Sequence, residues 1–77
     1  MDDATQIVGE EPATSIGATL RARRRDLGMT QEEIAEVAGV STRFVGDLER
    51  GKPSVRLDHA AAVAAALGLR LAAVKTW

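Results

Sequence analysis

A helical pattern interrupted by one glycine, between Met29 and Ser41, constrains this chain more than any other feature. Thr30 can cap a helix, and Glu33 follows three residues later, the spacing of a reciprocal capping box. Ile34, Val37 and Ala38 supply the apolar side of that helix. Gly39 then permits the positive φ that a tight turn requires. Val40 is expected between the helices, and the Ser41 hydroxyl caps the next one. In this second helix Val45 and Leu48 face inward, Gly51 ends the helical pattern, and Pro53 prevents its continuation. Two short helices must therefore meet across a glycine turn.

With 77 residues there is room for one domain and a thin core. Alanine supplies much of the 45% hydrophobic content, while Phe44 and Trp77 are the only aromatic residues. Alanines let helices approach closely but bury little area each, at about 25 cal/mol per Å². A dimer that adds a second buried surface is attractive on those grounds. The chain has no cysteine and one histidine, which excludes disulfide scaffolds and zinc-finger ligand sets. No phosphate-binding glycine loop or paired-carboxylate face is present, and His59 beside Asp58 has no nucleophile to serve. We therefore expect no catalysis, no metal and no organic cofactor. Without a signal peptide or an apolar run near 18 residues, the expected protein is cytoplasmic and has no membrane partner.

Three segments follow from the patterning. Residues 1–13 read as a flexible acidic arm. Residues 14–68 form a helical domain, beginning with a helix capped by Thr14 or Ser15 that carries Ile16, Leu20, Arg24 and Leu27 on one face and stops at Gly28. Its last long helix runs from about Leu57 to Leu67, with Leu57, Ala61, Ala64 and Leu67 inward and a short turn before it. Residues 69–77 form a C-terminal strand and tail. There Leu69, Leu71 and Ala73 alternate with Arg70 and Ala72, as in a half-buried strand. A lone strand cannot satisfy its backbone groups, so pairing with the same strand of a second subunit would close a homodimer; the alternative is an irregular tail that folds back on its own helix. The expected fold class is all-α, with five helices, or four and a short turn, followed by that dimerisation strand.

The formal net charge of −1 conceals an uneven distribution. Asp2, Asp3, Glu10 and Glu11 make the arm acidic. Arg21, Arg23, Arg24 and Arg25 form a basic cluster, joined by Arg43, Arg50, Lys52 and Arg56. Together with the two helices around Gly39, this excess suggests a helix-turn-helix whose partner is double-stranded DNA. Ser41, Thr42 and Arg43 open the candidate reading helix, where Arg43 can donate two bonds to guanine. Gly46 would allow close approach to a base or sugar. Gln31, Arg21, Arg50 and Lys52 are candidate contacts to the DNA backbone. Asp47 would repel phosphate unless it pairs with Arg43 or Arg50 or accepts from cytosine N4. Phe44 either completes the core edge or contacts a thymine methyl.

The stretch Leu20–Gly51 resembles the lambda-repressor/Cro-type (XRE) helix-turn-helix family. Arg24, Thr30-Gln31, Ile34-Ala35, Gly39-Val40-Ser41 and Glu49-x-Gly51 carry that likeness. The run Gly51–Asp58 and the ending Leu67–Leu71 resemble more narrowly the HipB-like antitoxins of toxin–antitoxin systems. The resemblance implies a sequence-specific repressor that binds a palindromic operator as a homodimer, and a HipA-like kinase toxin as a further partner. It also implies a buried salt bridge between Arg24 and Glu49, and a place for Gln31 beside the DNA backbone. Trp77 would either fill a pocket in the toxin or cover the protein's own dimer. The alternative is a protein-interaction module that keeps the fold without specific DNA binding.

Overall fold

The computed structural model describes residues 12–73 and Lys75, and it contains four helices: α1 (Pro12–Asp26), α2 (Gln31–Ala38), α3 (Thr42–Glu49) and α4 (Leu57–Ala66). Most of the segment expected as an arm, together with Trp77, lies outside the described residues. Helix α1 begins at Pro12, ahead of the expected caps at Thr14 and Ser15. Proline suits a first helical turn, where its missing N–H has no intrahelical partner to lose.

Helix α2 packs on α3 and α4, and α1 packs on α3. The core they enclose comprises Leu20, Ile34, Ala35, Val45, Leu48, Ala60, Val63, Ala64 and Leu67. Ile34, Val45, Val63 and Leu67 are fully buried, each contributing about 1.5–3 kcal/mol by leaving water. Ala35, Ala60 and Ala64 are buried between them. Their small side chains let α2 and α4 meet closely.

Several residues expected inside are outside. Leu27 is 45% exposed, Val37 63% and Leu57 73%, and Ala61 is also exposed. On α2 and α4 the buried arc is shifted, so Ala35 replaces Val37 and the pair Ala60–Val63 replaces Leu57 and Ala61. Leu27 lies beyond the end of α1, in a closure where Gly28 N–H donates to Arg25 O at 2.9 Å and Met29 N–H to Arg24 O at 3.1 Å. Met29, not Leu27, is thereby folded back against the core.

The same closure explains why the expected C-terminal strand is absent. Gly68, at φ 78°, ends α4, and the Leu69 N–H donates to Ala64 O at 2.8 Å. That turn sends Leu69 and Leu71 onto the domain's own core, where both are half-buried, and leaves Ala73 exposed. No strand occurs among the described residues, so there is no dimerisation strand of Leu69, Leu71 and Ala73. Nor is there a fifth helix among the described residues: residues 52–56 are irregular, with a bend at Pro53 and Ser54. Arg56 begins α4 without a side-chain cap, as its chemistry leads one to expect.

Helix α1 approaches α3 closely at Gly17, where a Cβ would collide with Leu48 O, which is backbone and cannot swing aside. At Gly46 a Cβ would meet only the mobile end of Arg50, at 3.2 Å. Gly17→Ala is therefore expected to lose about 1–3 kcal/mol despite its better helix propensity. Gly46→Ala should be neutral or stabilising. Urea unfolding of both variants checks the contrast, and an equal response would contradict the close helix approach.

Candidate nucleic-acid interface

The two helices around Gly39 are set by their termini. Thr30 Oγ1 accepts from the Glu33 N–H at 3.0 Å, and the Thr30 N–H donates to Glu33 Oε1 at 2.9 Å, completing the capping box of α2. Gly39 has φ 75°, and its N–H together with that of Val40 closes the helix onto Ala35 O. Ser41 Oγ accepts from the Phe44 N–H at 3.0 Å and starts α3. Val45 and Leu48 anchor the inner side of α3, so its N-terminal residues Ser41, Thr42 and Arg43 stand exposed. Ser41 thus has a structural duty as a cap, whereas Thr42 and Arg43 are the outward side chains.

A carboxylate beneath this unit joins three elements. Arg24 donates through Nε to Glu49 Oε2 at 2.7 Å and through Nη2 to Glu49 Oε1 at 3.0 Å. Its Nη1 donates to Met29 O at 2.7 Å, reaching the loop before α2. Gln31 Nε2 donates to Glu49 Oε1 at 3.0 Å. The Arg24 and Glu49 side chains are only 10% and 4% exposed. Burial pushes the Glu49 carboxyl up, but hydrogen bonds from Arg24 and Gln31 and the charges of Arg24 and Arg21 outweigh it and hold the group below the usual range. The hydrogen bond that Arg24 donates to Glu49 likewise raises the pKa of Arg24, against a smaller opposing effect of burial.

Gln31 is half-buried at the first position of α2, with one amide hydrogen committed to Glu49. It shares with Gly28, Thr30 and Thr42 the wall of an open concavity of about 410 Å³ between the starts of α2 and α3. A backbone-contact candidate and a base-reading candidate therefore face one hollow. Arg21 is exposed and lies near Glu49 on the α1 side, beside Ala18 and Arg25. Arg50 and Lys52 lie at the other end of α3, where both pair with Asp47. The Arg50 guanidinium lies against Gly46, which is consequently buried.

Phe44 is half-buried and packs on the core edge, with its ring meeting that of His59 on α4 edge-to-face at 5.4 Å. Arg23, an ordinary member of a basic run in the sequence, donates through Nε to Leu67 O at 2.9 Å and so ties α1 to the end of α4. That contact has no local sequence signature, because its partners are 44 residues apart.

The helix-turn-helix family profile matches residues 20–74, which span all of α2, the Gly39 turn and α3. The chain belongs to the helix-turn-helix family. An uncharacterized HTH-type transcriptional regulator of Sinorhizobium fredii is 43% identical over 53 residues, covering 69% of this chain and 70% of the relative. The immunity repressor protein of Bacillus phage phi105 is 33% identical over 60 residues, covering 78% of this chain but 42% of the repressor. Among solved structures, the clp gene regulator ClgR from Corynebacterium glutamicum superposes with a TM-score of 0.68 at 40% identity, covering 79% of this chain and 67% of that one. These relatives are named as two regulators and a repressor. Among the described residues of this helix-turn-helix domain, no helix is long and apolar enough to cross a membrane.

Removing one side of the Arg24–Glu49 pair leaves a buried charge behind. Arg24→Ala is expected to cost about 3–5 kcal/mol in urea unfolding, against about 0–1 kcal/mol for Arg25→Ala at the exposed end of α1. Because the folded carboxyl of Glu49 titrates low, its contribution is complete above the ordinary carboxylate range. It is lost as acidification proceeds below about pH 4. Glu49→Gln should therefore be less stable at neutral pH but lose less on further acidification. Parallel acid-induced slopes for the two proteins would contradict this assignment.

Proposed function

We propose that this helix-turn-helix protein is a transcriptional repressor that reads a palindromic operator as a homodimer and acts by occupying promoter DNA. One observation carries the reading: α3 is anchored by Val45 and Leu48 while Thr42 and Arg43 project from its exposed N-terminal end. A helix held in that way can enter a major groove, with Arg43 donating to guanine and Thr42 offering a hydroxyl or a methyl. Gln31, tethered by Glu49, has a second amide hydrogen for a phosphate beside the first amides of α2. Arg21, Arg50 and Lys52 supply further positive charge for the DNA backbone.

Two subunits would place two copies of α3 in successive major grooves about 34–36 Å apart. Leu57 supports a helix-side dimer contact: it lies exposed beside a groove lined by Ile16, Pro53, Val55 and Leu71. An antitoxin role, with a kinase-like toxin as partner, draws its support from the resemblance of Gly51–Asp58 and Leu67–Leu71 to HipB-like antitoxins. A toxin gene beside this one, and recovery of its product with the tagged protein, are the outcomes expected of that role.

Titration against duplexes containing the protein's own upstream region and against a scrambled duplex tests the repressor reading. Binding should be tighter to the first and fall steeply with salt. Arg43→Ala should reduce that preference by about 1–3 kcal/mol, while Gln31→Ala should weaken binding to both duplexes. Equal affinity for the two sequences would remove specific recognition, and absence of binding to either would leave a protein-interaction module. Sedimentation should give twice the chain mass, and Leu57→Glu should shift it toward the monomer.

A further inference from the structure

The outer end of α3 carries a charge arrangement that fold stability does not explain. Asp47 Oδ1 accepts a hydrogen bond from Arg50 Nη2, and Asp47 Oδ2 lies 3.7 Å from Lys52 Nζ. The carboxylate is sheltered, with its side chain 19% exposed, whereas those of Arg50 and Lys52 are 70% and 52% exposed. An acid in the last turn of a helix opposes the helix dipole. Surface ion pairs return only about 0–1 kcal/mol each. Neither consideration favours aspartate at this position.

The same contact controls what α3 presents. With its guanidinium drawn back to Asp47, Arg50 lies across Gly46, 3.2 Å from where a Cβ would stand. Within α3 the charges are one cation, Arg43, and two carboxylates, Asp47 and Glu49, of which Glu49 is already committed to Arg24. The positive charge available at this end of the surface therefore depends on whether Arg50 and Lys52 are paired internally.

We infer that Asp47 limits the affinity of α3 for DNA of any sequence: it holds Arg50 and Lys52 in an intramolecular latch that DNA phosphates must open. This rests on the DNA-binding reading above. Any duplex brings phosphates near α3, and opening the latch costs the same whatever the sequence, so the cost lowers affinity and leaves the ratio of specific to nonspecific binding unchanged. Once opened, Arg50 moves off Gly46 and leaves the middle of α3 free to approach the groove.

The test uses the full chain and a mixed-sequence duplex of about three helical turns, titrated at several salt concentrations. Asp47→Asn keeps the shape and removes the charge, and Asp47→Ser serves as a second variant should the first fold poorly by thermal unfolding. The charge-removing variant is expected to bind the mixed duplex about fivefold more tightly, with the slope of log affinity against log salt steeper by about one. Arg50→Gln placed in the same chain should remove most of that gain. Unchanged or weaker binding by both Asp47 variants overturns the latch, as does a gain that Arg50→Gln and Lys52→Gln leave intact. Failure of wild type and variants alike to bind any duplex would instead refute the DNA-binding reading, and the latch would fall with it.

Discussion

The Glu49 carboxylate is the constraint on which the rest of the arrangement depends. It ends α3, receives two bonds from Arg24 of α1, and receives a third from Gln31 at the start of α2. A charge sheltered to this degree must be compensated, because an unpaired buried carboxylate costs several kcal/mol. Compensation comes from two separate elements, so the carboxylate orients them as well as being satisfied by them. Arg24 extends the network to Met29 O and thereby reaches the loop that delivers the Thr30 cap. This anchored charge, together with the apolar core, ties α2 against α3 beside the hollow shared by Gln31 and Thr42.

The electrostatic surface left over differs from that suggested by the run of arginines in the sequence. Consecutive residues on a helix point about 100° apart, so Arg21, Arg23, Arg24 and Arg25 cannot act as one patch. Arg24 turns inward to Glu49, and Arg23 reaches the carbonyl of Leu67. Arg21 and Arg25 remain on the α1 surface. At the far end of α3, Asp47 engages Arg50 and Lys52. A near-neutral helix-turn-helix protein therefore depends more on where its cations are held than on how many it has.

Helix ends do as much as helix faces to shape the domain. The four helices each close at a glycine with positive φ, and in each case the following residue folds back toward the helix it leaves. At Gly28 this places Met29 rather than Leu27 against the core. At Gly68 it commits the Leu69 amide to Ala64 O and directs Leu69 and Leu71 onto the chain's own core. Alternation of Leu69, Leu71 and Ala73 is compatible with a strand, but a strand also needs a partner along its edge, and local periodicity carries no information about one.

Much of the helix-turn-helix was determined by the sequence alone, because its signals are local. Thr30 with Glu33, Gly39, Ser41 and Gly51 specify helix starts and stops through bonds and φ values within five residues. Val45 and Leu48 were legible as the inward side of α3 for the same reason. The buried arcs of α2 and α4 were legible only in part: Ile34, Ala64 and Leu67 were read as inward and are buried, but alanine is weakly polarised between inside and outside, and only packing chose Ala35 and Ala60 over Val37 and Leu57. The Arg24–Glu49 pair was legible only by family resemblance, and the bond from Gln31 to the same carboxylate had no such signal. Tertiary structure decided those contacts, Arg23 on Leu67 and the rejection of a terminal strand, because each joins groups whose distance along the chain says nothing about their distance in space.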